Sequence, residues 1–131
     1  DGNTQILPLI NNVADPSPGL GWRGCERRRL ADRGQPDLIL CLALVHHLVM
    51  GANIPLRELL EWLASFRSQL IVEFVPKSDP MVQRLLAGRP DIYSDYDLKQ
   101  FEGGRTALAA SERRQAFQSN DRILYFARPR T

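Results

Sequence analysis

Two adjacent histidines, His46 and His47, follow a continuous apolar run and are the leading candidates for catalytic or ligand-binding residues. The run begins after Asp37 and shows no alternation, which is typical of a parallel strand covered on both faces. It predicts a central strand over residues 37–44 whose two faces are buried. Open α/β sheets bind their ligands at the carboxyl ends of such strands. The two imidazoles are therefore expected at the mouth of a crevice.

Metal binding and proton transfer are the two chemistries that histidines at this position could supply. Adjacent residues leave a strand on opposite sides, so both rings can hardly bind one metal ion. The sequence also has neither an HxxxH spacing nor a cysteine cluster, and we predict no metal site. A catalytic pair and a packed or capping pair stand as alternatives.

A carboxylate interrupts a second apolar run, Gln69-Leu-Ile-Val-Glu-Phe-Val75, which predicts another buried strand. Glu73 in that strand would need a partner or a raised pKa, because burial of an unpaired charge is costly. Two interpretations follow. Glu73 either touches a ligand or pairs with a neighbouring amide or arginine.

The remaining elements follow from periodicity and turn residues. Asn53 is a plausible helix cap, and leucines at 56, 59, 60 and 63 have helical spacing. The other predicted elements are a strand over 5–13, helices over 26–33 and 80–87, a loop over 93–101 that enters a short helix, and a last strand over 122–128. Residues 106–115 have helical propensity, although their position suggests a strand. A hairpin of the last two strands would close the sheet.

Composition limits the partners of the chain. It has 131 residues, a formal charge of +2 and 44% hydrophobic residues, as expected for one globular domain. Basic and acidic residues are interspersed, which argues against a nucleic acid partner. No apolar run approaches the roughly 18 residues of a membrane span, so no membrane association is predicted. Cys25 and Cys41 are interpreted as reduced thiols of a cytoplasmic protein.

The glycines of Gly19-Leu-Gly-Trp-Arg-Gly24 match the spacing of a dinucleotide-binding fingerprint. That fingerprint requires a strand that turns directly into a helix at the first glycine. Here Pro16 and Pro18 separate the predicted strand from the glycines, so the segment is predicted to be an ordinary turn-rich loop.

The apolar run ending in His46-His47, the leucine-rich helix, Leu70-Ile-Val-Glu-Phe-Val75 and the closing Ile123-Leu-Tyr-Phe-Ala127 together resemble the later half of class I S-adenosylmethionine-dependent methyltransferases. The resemblance covers nearly the whole chain. It implies an α/β fold, namely a Rossmann-like three-layer sandwich with a mostly parallel sheet and a C-terminal antiparallel hairpin. Residues 1–131 would form a single truncated methyltransferase domain, whose third to fifth strands cover 5–11, 37–44 and 70–75.

The resemblance also implies site residues. Asn12 and Val13, after the third strand, would contact the adenine of S-adenosyl-L-methionine, and Leu42 and Ala43 would approach its methionine part. His46, His47 and Glu73 would then face an unknown methyl acceptor. If that acceptor carries a proton, His46 is the predicted base.

The family's glycine-rich loop and its ribose-binding acid have no counterpart in the sequence. The chain is therefore expected to be the C-terminal portion of a longer methyltransferase and to be inactive by itself. The alternative is a non-catalytic Rossmann-like module for protein association. In either case the apolar edge of strand 37–44 needs a neighbour. We predict pairing with residues 5–11 through a parallel crossover, and a homodimer formed through the same edge is the rival.

Overall fold

The computed structural model describes residues 5–106, 109–116 and 121–129. The chain divides into two compact units, residues 1–34 and residues 35–131, and each is described here by itself. That residues 1–131 form a single truncated methyltransferase domain stays a prediction.

The first unit lacks the strand and the helix that its sequence predicts. Residues 6–12 have no regular secondary structure, and Ile10 is completely exposed. Pro8 removes one backbone donor from this segment, and an apolar run becomes a strand only when a neighbour accepts its hydrogen bonds. The predicted helix over 26–33 is reduced to a 3₁₀ turn at Leu30–Arg33. Short helices are marginal without tertiary packing.

The glycine-rich segment forms the expected loop. Leu20 and Arg27 pair in an isolated antiparallel bridge that encloses a 3₁₀ turn at Trp22–Gly24. Gly21 has φ 82°, and a Cβ there would collide with the Glu26 side chain. Glycine is therefore favoured at this position of the tight turn, because other residues adopt a positive φ less readily.

The second unit contains the sheet and its helices. In chain order these are β1 (Leu38–Cys41), a π-helical turn (His47–Gly51), α1 (Leu56–Ser65), β2 (Gln69–Phe74), α2 (Pro80–Leu86), α3 (Leu98–Thr106), β3 (Ala109–Ala116) and β4 (Ile123–Pro129). The strand order is β1-β2-β4-β3.

The predicted fold class is wrong, because the sheet is mixed and not the mostly parallel sheet of a Rossmann-like sandwich. Only β1 and β2 pair parallel, with Leu38 opposite Gln69 and Cys41 opposite Val72. β4 lies antiparallel between β2 and β3. The chain between Ala116 and Ile123 is too short for a parallel crossover, so β4 must return antiparallel beside β3.

The strand predicted over 37–44 is shorter and more exposed than expected. β1 ends at Cys41, and the apolar residues after it turn into a helical segment that begins at Val45. Leu38 and Leu40 are 45% and 58% exposed, so only one face of the strand is buried. The predicted pairing with residues 5–11 is also wrong. In the part of the chain that the structure describes, β1 is an edge strand and residues 6–10 form no strand.

Buried leucines of α1 and a cluster of aromatic rings contribute to the core of the second unit. The predicted leucine face of α1 is confirmed, since Leu56, Leu59, Leu60 and Leu63 are all buried. On one face of the sheet, aromatic rings at 74, 96, 101 and 125 pack with centroids 5.0–5.3 Å apart.

Within the described ranges, no helix is long and apolar enough to cross a membrane.

Candidate functional site at the carboxyl ends of β1 and β2

The turn after β1 places Ala43 against Glu73. Because Cys41 lies beside Val72 in the parallel register, the backbone at Ala43 passes next to the end of β2. The Ala43 N–H donates to Glu73 Oε2 at 2.6 Å. Ala43 has φ 48°, a left-handed conformation that costs a non-glycine residue about 1–3 kcal/mol. The structure thus brings together two residues that the sequence assigned to the cofactor and acceptor sides.

The buried Glu73 is one of two carboxylates that share a guanidinium. Arg122 lies just before β4. Its Nη1 is 3.4 Å from Glu73 Oε1, and its Nε is 2.8 Å from Asp79 Oδ2. Both carboxylates are buried, whereas the Arg122 side chain is about a quarter exposed. Of the two interpretations of Glu73, pairing with a backbone amide and an arginine is the one observed.

Asp79 connects this arrangement to α2. Its Oδ1 accepts from the Met81 N–H at 2.9 Å, so Asp79 caps the helix that Pro80 begins. The hydrogen bond from Arg122 holds the pKa of Asp79 below its usual value, with a further contribution from the Met81 amide. We call Ala43, Glu73, Asp79 and Arg122 the carboxylate network. It joins the ends of β1 and β2 to the beginnings of α2 and β4.

The sequence prediction placed Asp79 in a ligand-facing loop after the second strand, and it named neither Asp79 nor Arg122 as a site residue. Asp79 had a local signal, because an aspartate immediately before proline marks a helix start. Arg122 had none. It reaches Glu73 only because β4 returns antiparallel beside β2, with Ile123 opposite Phe74.

His46 lies beside the carboxylate network in the helical segment after β1. Its side chain is only 1% exposed, and its Nδ1 has no hydrogen-bond partner among the described residues. The pKa of His46 is lowered to about 4, chiefly by burial and in addition by the charges of His47 and Arg122, against the opposing effect of Asp79 and Glu73. His46 is therefore neutral near pH 7 and is a weaker base than an ordinary histidine.

His47 has a different environment. It is exposed, and its ring centroid lies 4.2 Å from that of His46 with a tilt of 38°. Both histidines belong to a helical segment, so the expectation that they leave a strand on opposite sides was wrong. The structure describes no group of three or more histidine, cysteine, aspartate or glutamate residues placed to hold a metal ion.

The four predicted cofactor residues fall in two units. Leu42 is 53% exposed and adjoins Ala43 in the second unit. Asn12 and Val13 belong to the first unit, where Asn12 Oδ1 accepts from the Ala14 N–H at 3.1 Å and forms a local turn. A single cofactor site formed by all four residues stays a prediction.

A cleft of about 580 Å³ lies on the opposite face of β2 and β4. Phe74 and Ile123 line it, and their strand neighbours Glu73 and Arg122 point to the other face because side chains alternate along a strand. The cleft is lined by none of the predicted site residues. Lys77, Tyr96, Arg114 and Asp121 also border it.

Comparison with known proteins identifies a relative of this chain. The chain is 39% identical over 121 residues to nodulation protein NoeA of Rhizobium meliloti strain 1021, an alignment that covers 92% of this chain. The chain spans about a quarter of the length of that relative. No family model matches the chain, and no solved structure matches it.

Proposed function

We propose that the protein carrying this chain is an S-adenosyl-L-methionine-dependent methyltransferase and that the turn after β1 approaches the methionine part of the cofactor. The observation that supports this best is the left-handed Ala43 held by Glu73 at the end of a parallel strand pair. Backbone strain of this kind collects at functional sites. The position also coincides with the one that the family resemblance assigned to the cofactor.

The proposed roles follow from exposure and charge. Leu42 and Ala43 are exposed and would contact the donor, whereas the hydrogen bond from the Ala43 N–H to Glu73 fixes the geometry of the turn. Methyl transfer depends mainly on alignment of donor and acceptor, which a fixed turn supports. His46 is the proposed base toward the unknown acceptor. We propose that the acceptor approaches from the side of His47, because His47 is exposed and its ring contacts that of the buried His46.

Calorimetry with S-adenosyl-L-methionine on the complete protein tests the proposal. We expect saturable heat and a higher melting temperature, because a ligand that binds the native state stabilises it. An absence of both at millimolar cofactor would contradict the proposal. His46→Ala should reduce turnover more than cofactor affinity, and the reverse result would remove His46 as the base.

A non-catalytic module for protein association is the second candidate, and the exposed leucines of β1 favour it. Leu38, Leu40 and Leu42 are about half exposed on or beside β1, which is an edge strand among the described residues. Edge strands present unpaired backbone groups to other strands. A homodimer through this edge is one form of that association. Sedimentation would detect it, and Leu40→Lys should then give a monomer.

A further inference from the structure

Arg122 contacts both carboxylates of the carboxylate network, although it belongs neither to β1, which the turn follows, nor to β2, which the turn contacts. Its Nε and Nη1 are 2.8 Å and 3.4 Å from the carboxylates of Asp79 and Glu73. Those two acids come from different elements, the start of α2 and the end of β2. Removing the guanidinium would leave two buried carboxylates without their common cation.

The two oxygens of Glu73 have separate tasks. Oε1 faces Arg122, and Oε2 accepts from the Ala43 N–H. With both oxygens bound, the carboxylate plane has a fixed orientation, and the short hydrogen bond opposes relaxation of Ala43 from its positive φ. The conformation of the turn therefore depends on Arg122 through its contact with Glu73.

The geometry points to Arg122 as a positioning residue that holds the turn at Leu42 and Ala43 in its ligand-binding conformation through Glu73. This inference rests on the proposed function for the identity of the ligand, S-adenosyl-L-methionine. The conformational part rests only on the contacts among Arg122, Glu73 and Ala43. Arg122 itself would not touch the donor.

Two variants and one control separate this role from a general structural one. Arg122→Gln removes the charge, and Arg122→Lys keeps the charge but loses the planar fork that reaches two carboxylates. Arg128→Gln is the matched control, because Arg128 is an exposed arginine on β4. If Arg122→Gln does not fold, Glu73→Gln replaces it, since the amide keeps an acceptor for Ala43 but loses the ion pair.

Hydrogen exchange at the Ala43 amide is the first measurement. We expect Arg122→Gln to accelerate this exchange about tenfold or more, which corresponds to loss of a charge-assisted interaction. The amide of Val72, inside β2, should keep its wild-type protection in the same variant. Arg122→Lys should give an intermediate rate, and Arg128→Gln should give the wild-type rate. Unchanged Ala43 exchange in a folded Arg122→Gln protein would overturn the inference.

Cofactor affinity is the second measurement. S-adenosyl-L-methionine should bind Arg122→Gln about tenfold more weakly, while Arg122→Lys recovers part of the affinity. Equal affinities for wild type and Arg122→Gln would refute the link between the turn and the ligand. If the wild-type protein does not bind the cofactor, the proposed function fails, and the exchange of Ala43 alone decides whether Arg122 positions the turn.

Discussion

The carboxylate network and His46 are neighbouring buried polar regions that differ in how their polar atoms are satisfied. All four carboxylate oxygens of Glu73 and Asp79 have a donor from a backbone amide or from Arg122. Nδ1 of His46 has no partner within the described residues. Buried polar groups are nearly always paired, and an exception is a candidate for function. The paired oxygens therefore indicate rigidity for the network, and the unpaired Nδ1 is consistent with the proposed role of His46 as a base.

Removal of Glu73 should have the largest effect on stability. Glu73→Ala leaves Arg122 and the Ala43 N–H without a shared acceptor, so we expect the free energy of unfolding to fall by about 3–5 kcal/mol. Urea denaturation measures this change. Glu61→Ala is the control, because the pair that Glu61 forms with Arg57 is exposed, and its loss should have little effect on stability. Similar effects of the two substitutions would show that the network is not a stabilising region.

His46 should make stability depend on pH. Its folded pKa of about 4 is below its ordinary value of 6.5, so the unfolded chain binds the proton more strongly. The free energy of unfolding is therefore highest above pH 6.5. It falls as the pH decreases toward 4, by a total on the order of 3 kcal/mol. Unfolding experiments at several pH values should show this slope in wild type and in His47→Gln. A slope that persists in His46→Gln would assign it to another group.

Asp79 should have a smaller effect, because asparagine preserves the helix cap. Asp79→Asn loses the charged interaction with Arg122, and we expect a loss of about 1.5–3 kcal/mol near pH 7. The pKa of Asp79 is lowered in the folded protein, so its contribution is present above its ordinary value of 3.8 and is lost as the pH falls through the folded pKa. The difference between wild type and Asp79→Asn should therefore shrink under acidic conditions. A constant difference would mean that the ion pair is not its source.

His47 should have the smallest effect. Replacement of this exposed residue by alanine should change the free energy of unfolding by less than about 0.5 kcal/mol. It should nevertheless raise the pKa of His46, because the charge of His47 is one of the causes that lower it. NMR titration of the imidazole measures that pKa. If it moves down or stays constant, His47 has no electrostatic influence on His46.

The sequence predicted those features that depend on local pattern and strong burial. The leucine spacing of α1 and the interruption of β2 by Glu73 both correspond to observed elements. Residues 42–45 misled the prediction, because a short apolar run does not distinguish a buried strand from a turn entering a helix. The strand predicted to include residues 6–10 is absent for a related reason, since apolar residues alone do not provide a pairing partner.

The sequence drew attention to His46 and Glu73 because they end or interrupt apolar runs, whereas Ala43 was named only through the family resemblance. Their roles stay predictions, although the structure places all three residues near the ends of β1 and β2. The partner of Glu73 could not be found in this way. Arg122 is 49 residues away in the chain, and only the antiparallel return of β4 brings it to β2.

The most direct test of a methyl-donor site at this turn is an NMR titration of ¹⁵N-alanine-labelled protein with S-adenosyl-L-methionine. The Ala43 amide should shift and saturate together with the calorimetric heat, because the donor is proposed to approach this turn. Ala64 in α1 is the internal reference and should stay constant. Saturable binding with an unshifted Ala43, or shifts confined to Ala116 in the cleft on the opposite face, would contradict the proposed location of the site.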